Sequence, residues 1–304
     1  ESVPGKLLVV GGGYIGLELG SVYAALGSQV TVVEMTADLL PGADRDLLRP
    51  LQRRLKGRFA AIHTETTVTG IKAQKNGLRV QYQTTGENTQ SGLFAAVLVA
   101  VGRRPRTEGL GLENTGVVVN ENGFIEVDRQ RRTAEGHILA IGDVAGEPML
   151  AHKASHEGRV AAEVAAGQRV VYDPAAIPAV AFTDPEIAWV GLTETDAKAQ
   201  GIAVSVSKFP WGASGRALTL GRNEGLTKLI CDPDSQRIMG VGITGPGAGE
   251  MIAQGAFAIE MGANAMDLGL TIHPHPTLSE TLMEAADAIF GTATHIYKPP
   301  KKKA

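Results

Sequence analysis

The clearest chemistry in this sequence lies in Ile272-His273-Pro274-His275-Pro276-Thr277-Leu278-Ser279-Glu280. Two prolines hold the backbone extended and block a helix until Thr277 can cap one. Glu280 stands five positions after His275, one turn into that helix, where its carboxylate can reach back to the ring. Such a pair fixes the imidazole tautomer and leaves the opposite nitrogen as a general base. Two close histidines also suit a metal ion, although no third ligand is evident, and a purely structural histidine is the plain alternative.

A second constellation sits near the start. Gly11-Gly12-Gly13-Tyr14-Ile15-Gly16 has the spacing in which one glycine permits a tight turn, one lets backbone approach a pyrophosphate, and one allows close helix-to-strand packing. A glycine turn without a ligand is the alternative. Glu34 follows Gly16 by 18 positions. A carboxylate there accepts hydrogen bonds from both adenosine ribose hydroxyls and repels a 2′-phosphate, which favours NAD over NADP; otherwise it is an exposed acid at a strand end. Glu18 reads equally well as a group near the nicotinamide or as a solvated or capping acid. Farther on, Ile141-Gly142-Asp143 places a carboxylate where it can accept from a sugar or ribityl hydroxyl, or simply cap the next helix. Met149-Leu150-Ala151-His152 would offer helix-start N–H groups to a ring oxygen or phosphate.

The elements that must position these residues follow from periodicity. Lys6–Val10 is an apolar strand entering the glycine turn, Tyr14–Leu26 a helix stopped by Gly27, and Gln29–Glu34 a second strand. That is one βαβ unit, so its sheet is expected to be parallel. Further strands are expected at 78–83, 96–101 and 124–127, with 86–92 a polar hairpin or loop, and another at 137–144 that ends in Gly-Asp. A helix at 152–166 precedes Pro174 and Pro178, which mark a boundary. Strands at 178–182, 204–209, 226–231 and 237–243 and helices at 248–261 and 277–290 then suggest an α+β domain.

Length and composition bound the rest. At 304 residues the chain suits about two compact domains, and 43% hydrophobic and 20% charged residues describe an ordinary globular protein. A net charge of −3 gives no global positive field, so nucleic acid and anionic membrane are not expected partners. Lys298-Pro299-Pro300-Lys301-Lys302-Lys303 cannot build a core, and residues 298–304 are expected to form a disordered basic tail. Cys231 stands alone, so no intramolecular disulfide or thiol relay is available within these residues, in keeping with a cytoplasmic setting. No long apolar run is present, and Glu1-Ser2-Val3-Pro4-Gly5 lacks the basic and apolar regions expected of a secretory signal.

Taken together, the glycine turn with Glu34, Val101-Gly102-Arg103-Arg104-Pro105, Gly142-Asp143 with Met149–His152, Phe182-Thr183-Asp184-Pro185-Glu186 with Trp189-Val190-Gly191, and the histidine segment resemble the flavin disulfide reductases. Within them the dihydrolipoamide dehydrogenases are most similar, across nearly the whole chain. The resemblance implies an α/β Rossmann-like NAD-binding domain (1–102), part of an FAD or central domain (103–175), and an α+β dimerisation domain (176–297). It implies that Gly11, Gly12, Gly13, Tyr14, Ile15, Gly16, Glu34, Val68 and Gly102 line the NAD site and that Asp143, Met149, Leu150, Ala151 and His152 contact FAD. His275 would be the base that takes a proton from dihydrolipoamide, with Glu280 its orienting partner, in a homodimer that serves the lipoyl domain of a 2-oxoacid dehydrogenase complex. Electrons would pass from dithiol to enzyme disulfide, to FAD, to NAD. Glutathione reductases favour basic residues where Glu34 stands, and mercuric reductases carry a C-terminal cysteine pair. The family's first flavin motif and Cys-x4-Cys helix belong upstream of Glu1, and Cys231 cannot replace that pair. The chain alone is therefore expected to be a catalytically silent NAD-binding and dimerisation fragment, unless a separate chain supplies the flavin half.

Overall fold

The computed structural model describes residues 2–297, so the expected basic tail lies outside the described residues. Two compact units emerge, Glu1–Val101 with Pro178–Ala304, and Gly102–Ile177.

The first unit opens with β1 (Lys6–Val10), α1 (Tyr14–Ala25), β2 (Gln29–Val33), α2 (Arg45–Arg58) and β3 (Ala61–His63). It continues through β4 (Thr66–Gln74), β5 (Gly77–Thr84), β6 (Gln90–Phe94) and β7 (Ala96–Val99). The strands β3-β2-β1-β7 form one all-parallel sheet, as the βαβ reading requires. Leu7, Leu8 and Val9 are buried in succession because helices and a second sheet cover both faces of β1. α1 buries Gly16, Leu17 and Gly20, small enough on that face to close on the sheet. The antiparallel sheet β4-β5-β6 is inserted before β7, and β6 takes in Gln90–Gly92, which the sequence reading assigns to a loop. α2 is a further departure. Its charge and Pro50 hide the spacing of Leu47, Leu48, Leu51 and Leu55, all of them buried.

In the second unit, α3 (Ala151–Ala165) matches expectation, but residues 124–127 and 137–144 do not form strands. Single bridges, Val119 to Ile125 and Arg132 to Leu139, replace ladders. A strand exists by pairing, and these apolar segments have no neighbouring strand among the described residues. Gly142–Val144 closes as a 3₁₀ turn instead.

The first unit resumes with β8 (Ala179–Ala181), β9 (Ile187–Gly191), α4 (Glu194–Gln200), β10 (Ser205–Pro210) and α5 (Gly215–Thr219). After these come β11 (Leu226–Cys231), β12 (Ile238–Thr244), α6 (Ala248–Glu260), α7 (Ala265–Leu270) and α8 (Glu280–Phe290). β10-β11-β12-β9-β8 form one antiparallel sheet with helices gathered on it, an α+β arrangement. Ala181 and Ile187 share one core with Leu17, Leu47 and Leu51, which explains why these two parts of the chain count as a single unit.

A buried ionic knot reinforces that junction. Asp44 accepts from the Glu194 and Thr195 backbone N–H groups at 2.9 and 3.1 Å, capping α4 from the entrance of α2. The fully buried Lys228 ammonium donates to Asp44 at 2.7 Å and Asp46 at 3.0 Å, and it also pairs with Glu194. These three carboxylates have ligand-like spacing, but they converge on the lysine. Burial opposes ionisation of Asp44, yet the Lys228 hydrogen bond and the Glu194 N–H outweigh it and hold the carboxyl below its usual range. Asp184 is lowered likewise, burial being outweighed by Arg54 and Arg222. Carboxyls depressed in the folded state stabilise it above their unfolded pKa, and that stabilisation is lost as pH falls through the folded value. Unfolding of the first unit should therefore set in below about pH 4 and at higher pH for Asp44→Asn, measured by circular dichroism against pH.

Candidate functional site

The glycine turn follows the C-terminal end of β1, between β2 and β7. Gly11 has φ +107°, and a Cβ there would lie 2.2 Å from the Ala100 carbonyl oxygen; at Gly16 a Cβ would lie 2.0 Å from the Gly11 oxygen. Both positions need glycine for the turn and for helix-to-strand closure. Gly13 faces open space and starts α1, which has no side-chain cap and no acid in its first turn. Those features suit a pyrophosphate at the helix N-terminus.

Glu34 is buried, which removes the exposed-acid alternative. Its Oε2 accepts from Gly12 N–H at 2.6 Å, and Oε1 accepts from the Thr36 N–H and hydroxyl, each at 2.8 Å. The carboxylate thus braces the turn, and Oε2, with one bond accepted, keeps lone-pair capacity for a ribose hydroxyl, whereas Oε1 is committed to Thr36. Val68, on β4, packs against Leu8, Val33 and Val80 in a separate small core, while Gly102 belongs to the other unit. Glu18 Oε1 accepts from Phe182 N–H at 2.8 Å, tying α1 to the segment before β9.

In the second unit, Asp143 and the Met149–His152 segment meet through Arg103. Arg103 Nη1 lies 3.2 Å from Asp143 Oδ2, and Nη2 donates to the Met149 carbonyl. Asp143 does not cap α3, whose N-cap is Leu150, without a side-chain bond. A half-exposed acceptor beside an uncapped helix start fits a flavin polyol and phosphate chain.

Sequence reading missed what holds this turn. Glu157 is fully buried and pairs with Arg131 at 3.0 Å and Lys153 at 3.1 Å. Its Oε2 accepts from Gly142 N–H at 2.7 Å, and Lys153 Nζ donates to the Gly142 and Gly146 carbonyls at 3.3 and 3.0 Å. The Arg131 guanidinium lies 4.7 Å from the centre of the Tyr172 ring. The four-residue spacing of Lys153 and Glu157 on a helix was the available signal.

In the first unit, His275 Nδ1 lies 2.8 Å from Glu280 Oε1, and Glu280 Oε2 accepts from Thr277 N–H at 2.7 Å. The His275 ring is 72% exposed, and Nε2 has no hydrogen-bond partner among the described residues. Burial opposes ionisation of Glu280, but the Thr277 N–H and His275 outweigh it and keep the carboxyl below its usual range. The helix starts later than expected, at Glu280 with Ser279 as N-cap. The Thr277 hydroxyl is turned back to the Pro274 carbonyl at 2.7 Å and cannot cap it. His273 is engaged at both nitrogens, Nδ1 with the Thr271 carbonyl at 2.7 Å and Nε2 with the Gln254 amide nitrogen at 2.8 Å. A second pair joins the buried Glu284 of the same helix to His295, beyond its C-terminal end, at 2.5 Å. Burial pushes the Cys231 thiol up to about 12, with Asp232 adding to the shift, so it holds no thiolate at neutral pH.

Among the described residues, no helix is long and apolar enough to cross a membrane.

Comparison with known proteins adds the following. The family described as pyridine nucleotide-disulphide oxidoreductase matches residues 1–158, and its dimerisation domain matches residues 177–286. The dihydrolipoyl dehydrogenase of Vibrio cholerae is 48% identical over 303 residues, covering 100% of this chain and 64% of that protein. That of Thermus scotoductus is 50% identical over 297 residues, covering 97% and 64%. The chain thus spans less than two thirds of the length of these curated relatives. Among solved structures, LpdA of Mycobacterium tuberculosis superposes with TM-score 0.87 at 30% identity, covering 95% of this chain and 62% of that one. The HOCl-induced flavoprotein disulfide reductase RclA of Escherichia coli gives 0.85 at 30% identity, covering 94% and 65%.

Proposed function

This chain belongs to the pyridine nucleotide-disulphide oxidoreductase family, and on that premise we propose that the protein it represents reoxidises protein-bound dihydrolipoamide with NAD. The observation that carries the reading is the joint presence of a glycine turn braced by a buried acid and an exposed imidazole oriented by a carboxylate. Residues 1–102 bind NAD, 103–175 contribute to the flavin site, and 176–297 form the homodimer contact. Gly11 to Gly16 and Glu34 hold the dinucleotide, with Val68 at its margin, and Asp143 with Met149–His152 holds FAD. Bound flavin and nicotinamide supply the hydride chemistry.

The chain's own residues bind, orient and move a proton. Glu280 accepts a hydrogen bond from His275 Nδ1–H, which fixes the tautomer and leaves Nε2 to accept a proton from the substrate dithiol. Exposure of that ring suits a substrate carried on another protein, the lipoyl domain of a 2-oxoacid dehydrogenase complex in the cytoplasm. The 304 residues contain one cysteine, buried, so the thiol–disulfide step draws on sulfur these residues do not include.

Dihydrolipoamide-dependent NADH formation by the flavin-containing enzyme tests the reading; failure with lipoamide alongside reduction of another disulfide would overturn it. A separate arm concerns Glu34. Glu34→Arg should shift dinucleotide preference from NAD toward NADP, read as the ratio of the two dissociation constants by calorimetry. Retention of a strong NAD preference would remove Glu34 from the ribose contact. Because Glu34 also braces the turn, binding of both dinucleotides should weaken.

A further inference from the structure

We infer that His273 is a positioning residue: its ring, held in one tautomer between the Thr271 carbonyl and the Gln254 amide, staples the loop that presents His275 to helix α6. The inference rests on the reading of His275 as the group that moves the proton.

The loop has little else to hold it. Pro274 and Pro276 carry no N–H, and among the described residues 272–276 form no backbone-to-backbone hydrogen bond. Ile272 is 95% exposed, so apolar packing does not fix the approach to the histidines. What remains are side-chain ties at two ends. Toward α8 the Thr277 hydroxyl donates to the Pro274 carbonyl and His275 meets Glu280. Toward α6 there is the His273 to Gln254 bond. With one end released, the loop pivots on the other, and the position of His275 Nε2 is no longer defined.

The partners assign the hydrogens. A carbonyl can only accept, so Nδ1 of His273 carries the hydrogen that reaches the Thr271 oxygen, and Nε2 then accepts from the Gln254 N–H. A ring used at both nitrogens cannot exchange a proton or bind a metal without breaking the staple. His275, two residues on, has Nδ1 engaged and Nε2 unengaged. Adjacent histidines of one motif thus divide the work, His273 holding and His275 reacting.

The test uses the flavin-containing enzyme with labelled histidine and long-range imidazole ¹H–¹⁵N spectra. His273 should show the Nδ1–H tautomer, and Gln254→Met, close in shape but lacking the donor, should shift its Nε2 signal and broaden or double the His275 signals. Thermal unfolding should stay close to that of the parent chain. The same substitution should lower kcat by roughly 10- to 10²-fold, the scale expected of a misplaced reacting group, with KM for NAD unchanged. An Nε2–H tautomer at His273, or His275 signals that are unchanged in both Gln254→Met and His273→Gln, would overturn the proposal. Altered His275 signals with full turnover would instead uphold the staple and defeat the assignment of His275 to proton transfer.

Discussion

In the flavin-containing enzyme, His275→Gln is expected to lower the proposed turnover of dihydrolipoamide by roughly 10²–10⁴, the usual worth of positioned acid–base help. Glutamine can still hydrogen-bond from this loop, so folding and dimer formation should survive, but it cannot take up a proton. NAD affinity should be unchanged, because, among the described residues, Glu34 bonds to Gly12 and Thr36 while His275 bonds to Glu280. Stopped-flow reduction by dihydrolipoamide against oxidation by NAD separates the two half-reactions, and the loss should fall on the first. A full reductive rate would remove His275 from the mechanism. Glu280→Gln should cost less, since an amide oxygen can still accept from His275 Nδ1 while its charge is gone.

The second large effect concerns Lys153. Its ammonium is almost wholly buried against the fully buried Glu157, and it also satisfies the Gly142 and Gly146 carbonyls. Lys153→Met keeps the volume but leaves Glu157 with the Arg131 cation and the Gly142 N–H, and it strands the Gly146 carbonyl. Breaking a buried pair from one side costs about 3–5 kcal/mol. For a 76-residue unit, Gly102–Ile177, that is a large part of any plausible stability. Hydrogen exchange of the Gly142–Gly146 amides should rise strongly, with flavin retention falling in parallel. Protection as in the parent chain would show that the ion cluster does not hold the turn that carries Asp143.

The two residues differ in how visible they were. His275 and Glu280 could be paired from sequence because both lie within one short segment, and prolines and a helix start restrict what five residues can do. The glycine turn was legible for the same reason: strand, turn, helix and acid are consecutive. Glu34 was expected as a free acceptor, yet its oxygens are already shared with Gly12 and Thr36, which depends on how β2 lies beside the turn.

What stayed hidden depended on distance along the chain. Residues 137–144 read as a strand because their apolar pattern is strand-like, but a pattern cannot state whether a neighbour exists to complete the ladder, and here none is described. α2 was masked by charge, and its leucines acquire meaning only against the shared core that includes Ala181 and Ile187. Asp44 and Lys228 are 184 positions apart, and Gln254 and His273 are 19 apart on different elements. By itself the sequence determined the local chemistry: the turn, the parallel βαβ start, the histidine–carboxylate pair and the α+β character of the last third. Only the tertiary structure decided which charges are buried together, which histidine has a nitrogen to spare and which apolar runs find strand partners. Local conformation follows from neighbours in the chain, whereas desolvation and pairing depend on groups that folding alone brings within reach.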